Sequence, residues 1–188
     1  MNPSGNNQTE RVILGMDPGT SIMGYGVILV KGNIAQLVQY GVIHLSKYTT
    51  HELKLKKIFE RVISIIEDFK PDEVALEAPF YGKNVQSMLK LGRAQGVAMA
   101  AALSKEIPIT EYAPKKVKQS VTGNGNASKE QVASMLKTIL KFEAEPPKLF
   151  DATDALAVAI CHHYNRTSST SKSKSWKSFV IDNPKRLK

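Results

Sequence analysis

Apolar and polar positions divide the chain into short apolar runs followed by longer amphipathic stretches. Val12 to Asp17 is the first such run, ending on a carboxylate; about Gly24 to Val30 is the second, and Ile34 to Leu45 the third. Pro18-Gly19 and Lys31-Gly32-Asn33 supply the turns between them, which predicts an antiparallel meander of three strands. The period then changes. Leu55, Ile58, Phe59, Val62, Ile65, Ile66 and Phe69 recur at three- and four-residue steps, the spacing of a helix stopped by Pro71. Val74 to Glu77 reads as a fourth strand and 85–105 as a second long helix. A fifth strand over 107–113 is bracketed by Pro108 and Pro114, and a short helix follows over 115–121. Ser128 with Gln131 opens a helix to about 141 through a capping box. Asp151 to about Tyr164 is the last helix. The expected fold is α/β: a mixed five-stranded sheet flanked by helices.

Four acids stand out from this pattern. Asp17 and Glu77 each close an apolar strand, and Asp151 and Asp154 share one face of the first turn of the last helix. Acids such as Glu60, Glu67 and Asp68 fall instead among the polar positions of a helix, where water solvates them. Carboxylates beside apolar residues and without basic partners repel one another unless a cation lies between them. Hard oxygen donors of this kind suit Mg²⁺ or Mn²⁺. A carboxylate cluster holding two such ions is equipped for phosphodiester hydrolysis. Taken singly, Asp17-Pro18-Gly19 is also ordinary turn chemistry, and Asp151 an ordinary helix N-terminal acid.

Charge sharpens the picture. The 188 residues carry 26 Lys and Arg against 17 Asp and Glu, a net charge of +9, which favours phosphate polyanions as partners. No apolar run approaches the roughly 20 residues a bilayer requires. The polar stretch Met1 to Gln8 lacks the apolar core of a signal peptide. One cysteine, Cys161, permits no intrachain disulfide and suits a reducing cytoplasm. Residues 1–10 read as a disordered extension, 11–165 as the folded domain and 166–188 as a basic, Ser/Lys-rich tail. Within that tail Trp176, Phe179 and Val180 are candidates for docking on the domain or a partner.

Three smaller features leave alternatives open. Gly92, Gly96 and Ala100 line one helix face, suited either to packing on the chain's own sheet or to a helix of a second copy. Thr122 to Asn126 has the composition of a mobile loop. Cys161-His162-His163 places its side chains in diverging directions, so packing and solvation at a helix C-terminus is the expectation rather than metal binding.

The chain resembles the RuvC family of junction resolvases, within the RNase H-like superfamily. The resemblance rests on the ordered segments Leu14 to Thr20 with Gly24-Tyr25-Gly26, Leu76 to Asn84, Leu89 to Ala98, Val117-Lys118-Gln119 and Asp151 to Ala157. It implies a homodimeric, Mg²⁺-dependent endonuclease, with two ions per site and Mn²⁺ as a substitute. Such an enzyme nicks opposed strands of four-way DNA junctions in recombination and repair, with a RuvA–RuvB branch-migration complex as partner. By position Asp17, Glu77, Asp151 and Asp154 become the catalytic and metal-binding acids, Asp17 bridging the ions. Phe80 becomes an aromatic that stacks on a base, with Tyr81 and Lys83 beside it on the loop, and Lys118 and Lys129 become cations near the scissile phosphate. The chain departs from the family pattern at Ala78-Pro79.

Competing classes fare worse. A phosphate loop of the actin and sugar-kinase type also reads as a strand followed by Asp-x-Gly-Thr, but requires a second domain and a second glycine-rich loop. A non-catalytic nucleic-acid module leaves the buried acids unexplained. Another RNase H-like nuclease with a different branched substrate differs only in what it cuts.

Overall fold

A computed structural model describes residues 10–79, 84–142 and 150–169. Its elements run β1 (Glu10–Asp17), β2 (Ile22–Lys31), β3 (Ile34–His44), α1 (His51–Phe69), β4 (Glu73–Glu77), α2 (Val85–Leu103), β5 (Ile109–Tyr112), α3 (Pro114–Thr122), α4 (Lys129–Leu140) and α5 (Phe150–Ser169). The sheet order is β3-β2-β1-β4-β5. As the meander predicts, β1, β2 and β3 pair antiparallel, whereas β4 joins β1, and β5 joins β4, in parallel.

Both faces of β1 and β4 are covered, which is why they read as nearly unbroken apolar runs rather than as alternations. Leu14, Met16, Val74 and Leu76 face a core shared with α1 and α2. Ile13 and Ala75 face the opposite core, built from α3, α4 and α5. Asp17 lies two and four residues beyond Gly15 and Ile13, so period-two alternation puts it on the α5 side; Glu77 is placed likewise, two residues beyond Ala75.

Glycines let α5 lie almost on the backbone of that face. A Cβ at Gly15 would overlap the Ala155 carbonyl and Ala159, and one at Gly24 would overlap the Asp151 carbonyl. At Gly26 it would strike Leu156. The turn reading holds for Gly19, where a Cβ would meet the Ile22 carbonyl. For Gly24 and Gly26 the decisive requirement is helix approach.

Local signals account for the helix ends. Thr50 caps α1 by accepting from the Leu53 amide, and Lys70 ends it in the left-handed region at φ 47° ahead of Pro71. The Ser128/Gln131 capping box opens α4 as expected. Other boundaries are corrected. Glu10 belongs to β1, opposite Lys31 and joined to it by a 2.7 Å ion pair. The last helix runs past Tyr164 to Ser169. Phe59, assigned to the apolar stripe of α1, is instead 41% exposed.

Segment 122–127 is not the loose loop its composition predicts. Thr122 Oγ1 accepts from the Asn124 amide at 3.1 Å, Asn124 Oδ1 from the Asn126 amide at 2.9 Å, and the Ala127 carbonyl from Lys118 Nζ at 2.9 Å. Among the described residues no helix is long and apolar enough to cross a membrane. Residues 1–9 of the N-terminal extension, the tail from 170 with Trp176, and Phe80, Tyr81 and Lys83 lie outside the described residues.

Candidate active site

The neighbouring parallel strands β1 and β4 end on Asp17 and Glu77 at the same edge of the sheet, where α5 begins. Asp17 pairs across the ladder with Gly24, and Gly24 touches the Asp151 backbone, so the bare glycine brings the start of α5 down beside Asp17. The four acids named from the sequence therefore fall within electrostatic reach of one another. Burial, and after it the charges of Glu77, Asp154 and Asp151, push the Asp17 carboxyl up to about 8. Burial and Asp154 push Glu77 up to about 7. Burial is the larger cause for both and mutual repulsion of the acids the second, so a bound cation would relieve the repulsion.

Two lysines face it. Lys129, the first residue of α4, forms a 2.6 Å ion pair with Asp154 Oδ2. Burial works against its ammonium, but the hydrogen bond to Asp154 and the charges of Asp154, Asp17 and Asp151 hold it above the usual lysine range. Lys118 lies near enough to Glu77 to lower its proton affinity, yet its ammonium donates to the Ala127 carbonyl and so also clamps the turn leading into α4.

Between β1, β4 and α2 a small cavity of about 170 Å³ opens beside the acids, lined by Asp17, Pro18, Glu77, Ala78, Pro79, Leu91 and Gln95. The Ala78 amide donates to the Tyr112 carbonyl at 2.9 Å, so the departure at Ala78-Pro79 keeps the strand end attached to β5. Gln95 is 5% exposed and donates its side-chain amide to Glu111. The pattern search passed over Gln95, because one polar residue in an Ala-rich helix carries no periodic signal.

Glu73 and Glu77 share one face of β4, four residues apart, but their surroundings are opposite. The Glu73 carboxylate receives His162 Nε2 at 2.5 Å and also pairs with Arg166 and, at 3.7 Å, Arg11. Tyr112 Oη completes the chain with a 2.8 Å hydrogen bond to His162 Nδ1. Burial, then the Arg11 charge, depresses the His162 proton affinity, which suits a neutral ring accepting from Tyr112 and donating to Glu73. Packing of the Cys161-His162-His163 run is as expected but its solvation is not, since all three are buried. Thus Glu73 anchors α5, while Glu77 keeps its unmet charge.

The donor set fits a divalent cation: four carboxylates, all hard oxygen, two of them with raised proton affinities. As the side chains stand, no three Asp, Glu, His or Cys among the described residues form a closed cage, and Asp154 is engaged by Lys129.

The family model for crossover junction endodeoxyribonuclease RuvC matches residues 13–162. The chain belongs to the RuvC family. A crossover junction endodeoxyribonuclease RuvC of Cytophaga hutchinsonii is 63% identical over 179 residues, 95% of this chain and 89% of the relative. Its Bacteroides fragilis counterpart is 59% identical over 182 residues, 95% of this chain and 97% of the relative. Among solved structures, Thermus thermophilus RuvC in complex with a Holliday junction substrate superimposes with a TM-score of 0.78 at 35% identity, covering 85% of this chain and 97% of that one. The yeast mitochondrial Holliday junction resolvase Ydc2, at 12% identity and a TM-score of 0.64, shares the fold. Membership makes the chain an endodeoxyribonuclease, a hydrolase of phosphodiester bonds, of a metal-dependent family.

Proposed function

We propose that this protein resolves four-way DNA junctions by paired, Mg²⁺-dependent nicking, with Asp17, Glu77, Asp151 and Asp154 as its metal-binding acids. The observation carrying this reading is the convergence of the ends of the neighbouring strands β1 and β4 with the start of α5. There the charges of Glu77, Asp154 and Asp151 add to burial in raising the Asp17 proton affinity. When bound, two Mg²⁺ ions, or Mn²⁺ in their place, would supply an activated water and offset charge at the leaving oxygen. The chain's own groups do the rest. Asp17, on which the charges of the other three acids act, would hold the ions together with Glu77, Asp151 and Asp154. Lys129 and Lys118 meet the phosphate and offset charge developing in the transition state. Phe80, Tyr81 and Lys83, which follow Glu77 in the sequence, engage the bases and backbone at the junction.

Paired nicking requires two sites, and α2 offers a face for a second copy. Val85, Leu89, Gly92, Gly96, Ala100 and Leu103 recur along it at three- and four-residue steps. Val85, Leu89 and Leu103 are 67%, 51% and 58% exposed, and among the described residues nothing beyond the helix's own backbone lies within 4 Å of a Cβ built at Gly92 or Gly96. That open space favours the inter-subunit reading of the glycines over packing on their own sheet. A RuvA–RuvB complex as a further partner, and a cytoplasmic location, rest on family membership and on the single buried cysteine.

The test is cleavage of a mobile four-way junction with and without Mg²⁺. Symmetrical nicks are expected only with the metal, and Asp17→Asn is expected to bind the junction without cutting it. Cleavage by the wild type in the absence of any divalent metal would overturn the reading.

A further inference from the structure

Lys129 is placed differently from a cation that merely waits for DNA. Its ammonium is hydrogen-bonded to Asp154 and lies in the field of Asp17 and Asp151, so it occupies the cluster that otherwise lacks positive charge. The two partners are unequal. The Asp154 side chain is 18% exposed and held on a buried helix, whereas that of Lys129 is 53% exposed on a flexible four-carbon stem. The backbone beneath Lys129 is pinned. Ser128 and Gln131 cap the helix reciprocally at 2.9 and 3.3 Å, and Lys118 holds the Ala127 carbonyl at 2.9 Å. The ammonium can therefore leave Asp154 by side-chain rotation alone, with no change in the fold.

We infer that Lys129 is the resident counter-ion of the metal-free site, exchanged for a divalent cation on loading and thereby released toward the DNA phosphate. The inference rests on the metal-binding reading above and adds an order of events to it. One ammonium gives a single charge to four carboxylates, so a divalent ion displaces it on charge alone. An ammonium and a divalent ion held together at Asp154 would repel each other, so each weakens the other's hold on the cluster. Exchange also makes loading and phosphate contact interdependent: whatever draws Lys129 to the phosphate vacates Asp154 for the metal, and the coupling acts equally in reverse. Lys118 supplies the comparison: it acts on Glu77 through its field alone, its ammonium being hydrogen-bonded to the Ala127 carbonyl.

The experiment is calorimetric titration of the DNA-free protein with Mg²⁺, using wild type, Lys129→Met, Lys118→Met and Asp154→Asn, each checked for folding by its thermal transition. Lys129→Met is expected to bind Mg²⁺ about three- to tenfold more tightly than wild type, and Lys118→Met, which removes a charge acting on Glu77 without vacating Asp154, to gain clearly less than Lys129→Met. In parallel, limited acetylation read by mass spectrometry follows each amine. Lys129 is expected to be protected without Mg²⁺ and to become reactive with it, while Lys118 is unchanged by the metal. Equal affinities in wild type and Lys129→Met, equal gains in both lysine variants, or Lys129 acetylation indifferent to Mg²⁺ would overturn the exchange while Asp154→Asn still lost binding. Absence of Mg²⁺ binding in wild type and Lys129→Met alike would instead overturn the metal site itself, and the exchange with it.

Discussion

Gly24 has the Asp151 carbonyl where its own Cβ would be, and it is the cross-strand partner of Asp17. One hydrogen in place of a side chain therefore sets the distance between the strand acid and the helix acids. Gly24→Ala is expected to push the start of α5 off the sheet. The predicted cost is about 1–3 kcal/mol of stability, the range for an overpacked core, with a loss of nicking much larger than the loss of fold. Parallel chemical denaturation and junction cleavage check this; near-normal cleavage would show that the helix start tolerates displacement.

The raised proton affinities of Asp17 and Glu77 have a definite sign for stability. Between the ordinary 3.8 of an aspartate and the value near 8 for Asp17, the native state holds a proton that the unfolded chain has released. Stability of the metal-free protein therefore falls as pH rises across that window. In chelator, the melting temperature is expected to drop between pH 5 and 8. Asp17→Asn should flatten the slope and raise stability at pH 8 by on the order of 1–3 kcal/mol. Added Mg²⁺ should stabilise the wild type most at the alkaline end. A melting temperature that rises with pH in chelator would contradict the assignment.

His162 bridges the Tyr112 hydroxyl and the Glu73 carboxylate in the core. His162→Ala removes the bridge and leaves buried polar groups short of partners, at an expected cost of about 2–4 kcal/mol. Because the native ring resists protonation, wild-type stability from this group should also decline as pH falls below the ordinary 6.5 of histidine. Denaturation curves at pH 7.5 and 5.5 for both proteins read the two effects together.

Leu89 is half-exposed on the open face of α2. Leu89→Arg is expected to convert a dimer into a monomer in sedimentation velocity while changing protomer stability by less than about 0.5 kcal/mol, the usual effect of a surface substitution. Paired nicking should fall to single nicks. A wild type that sediments as a monomer at working concentration would remove α2 as the contact.

Strand ends and helix starts were readable in the sequence because their signals are local. Asp17 and Glu77 close apolar runs, and Asp151 and Asp154 obey helix spacing. What escaped that reading depends on elements distant along the chain. Glu73 looks like any strand-edge acid until His162, 89 residues later, is folded against it. Gly24 and Gly26 read as members of the second strand, and nothing nearby marks them as the floor of a groove for a helix. The signal was present as a match between two patterns, Gly15, Gly24 and Gly26 on one sheet face and Ala152, Ala155 and Ala159 on one helix, all three alanines nearly or wholly buried. Loop 122–127 was misread for a related reason: glycine and asparagine permit mobility, and a single reach from Lys118 removes it.

The sheet order places β1 third of five, covered on both faces, whereas α4 packs on α3 and α5 at the periphery. Amide hydrogens of the central strand bearing Asp17 are expected to exchange with solvent more slowly than those of α4, which bears Lys129. The candidate acids and the candidate lysine thus lie on elements at different depths in the fold. If α4 opens first on warming or in mild denaturant, activity is expected to fall while the overall spectrum stays native, and hydrogen exchange followed beside cleavage checks this.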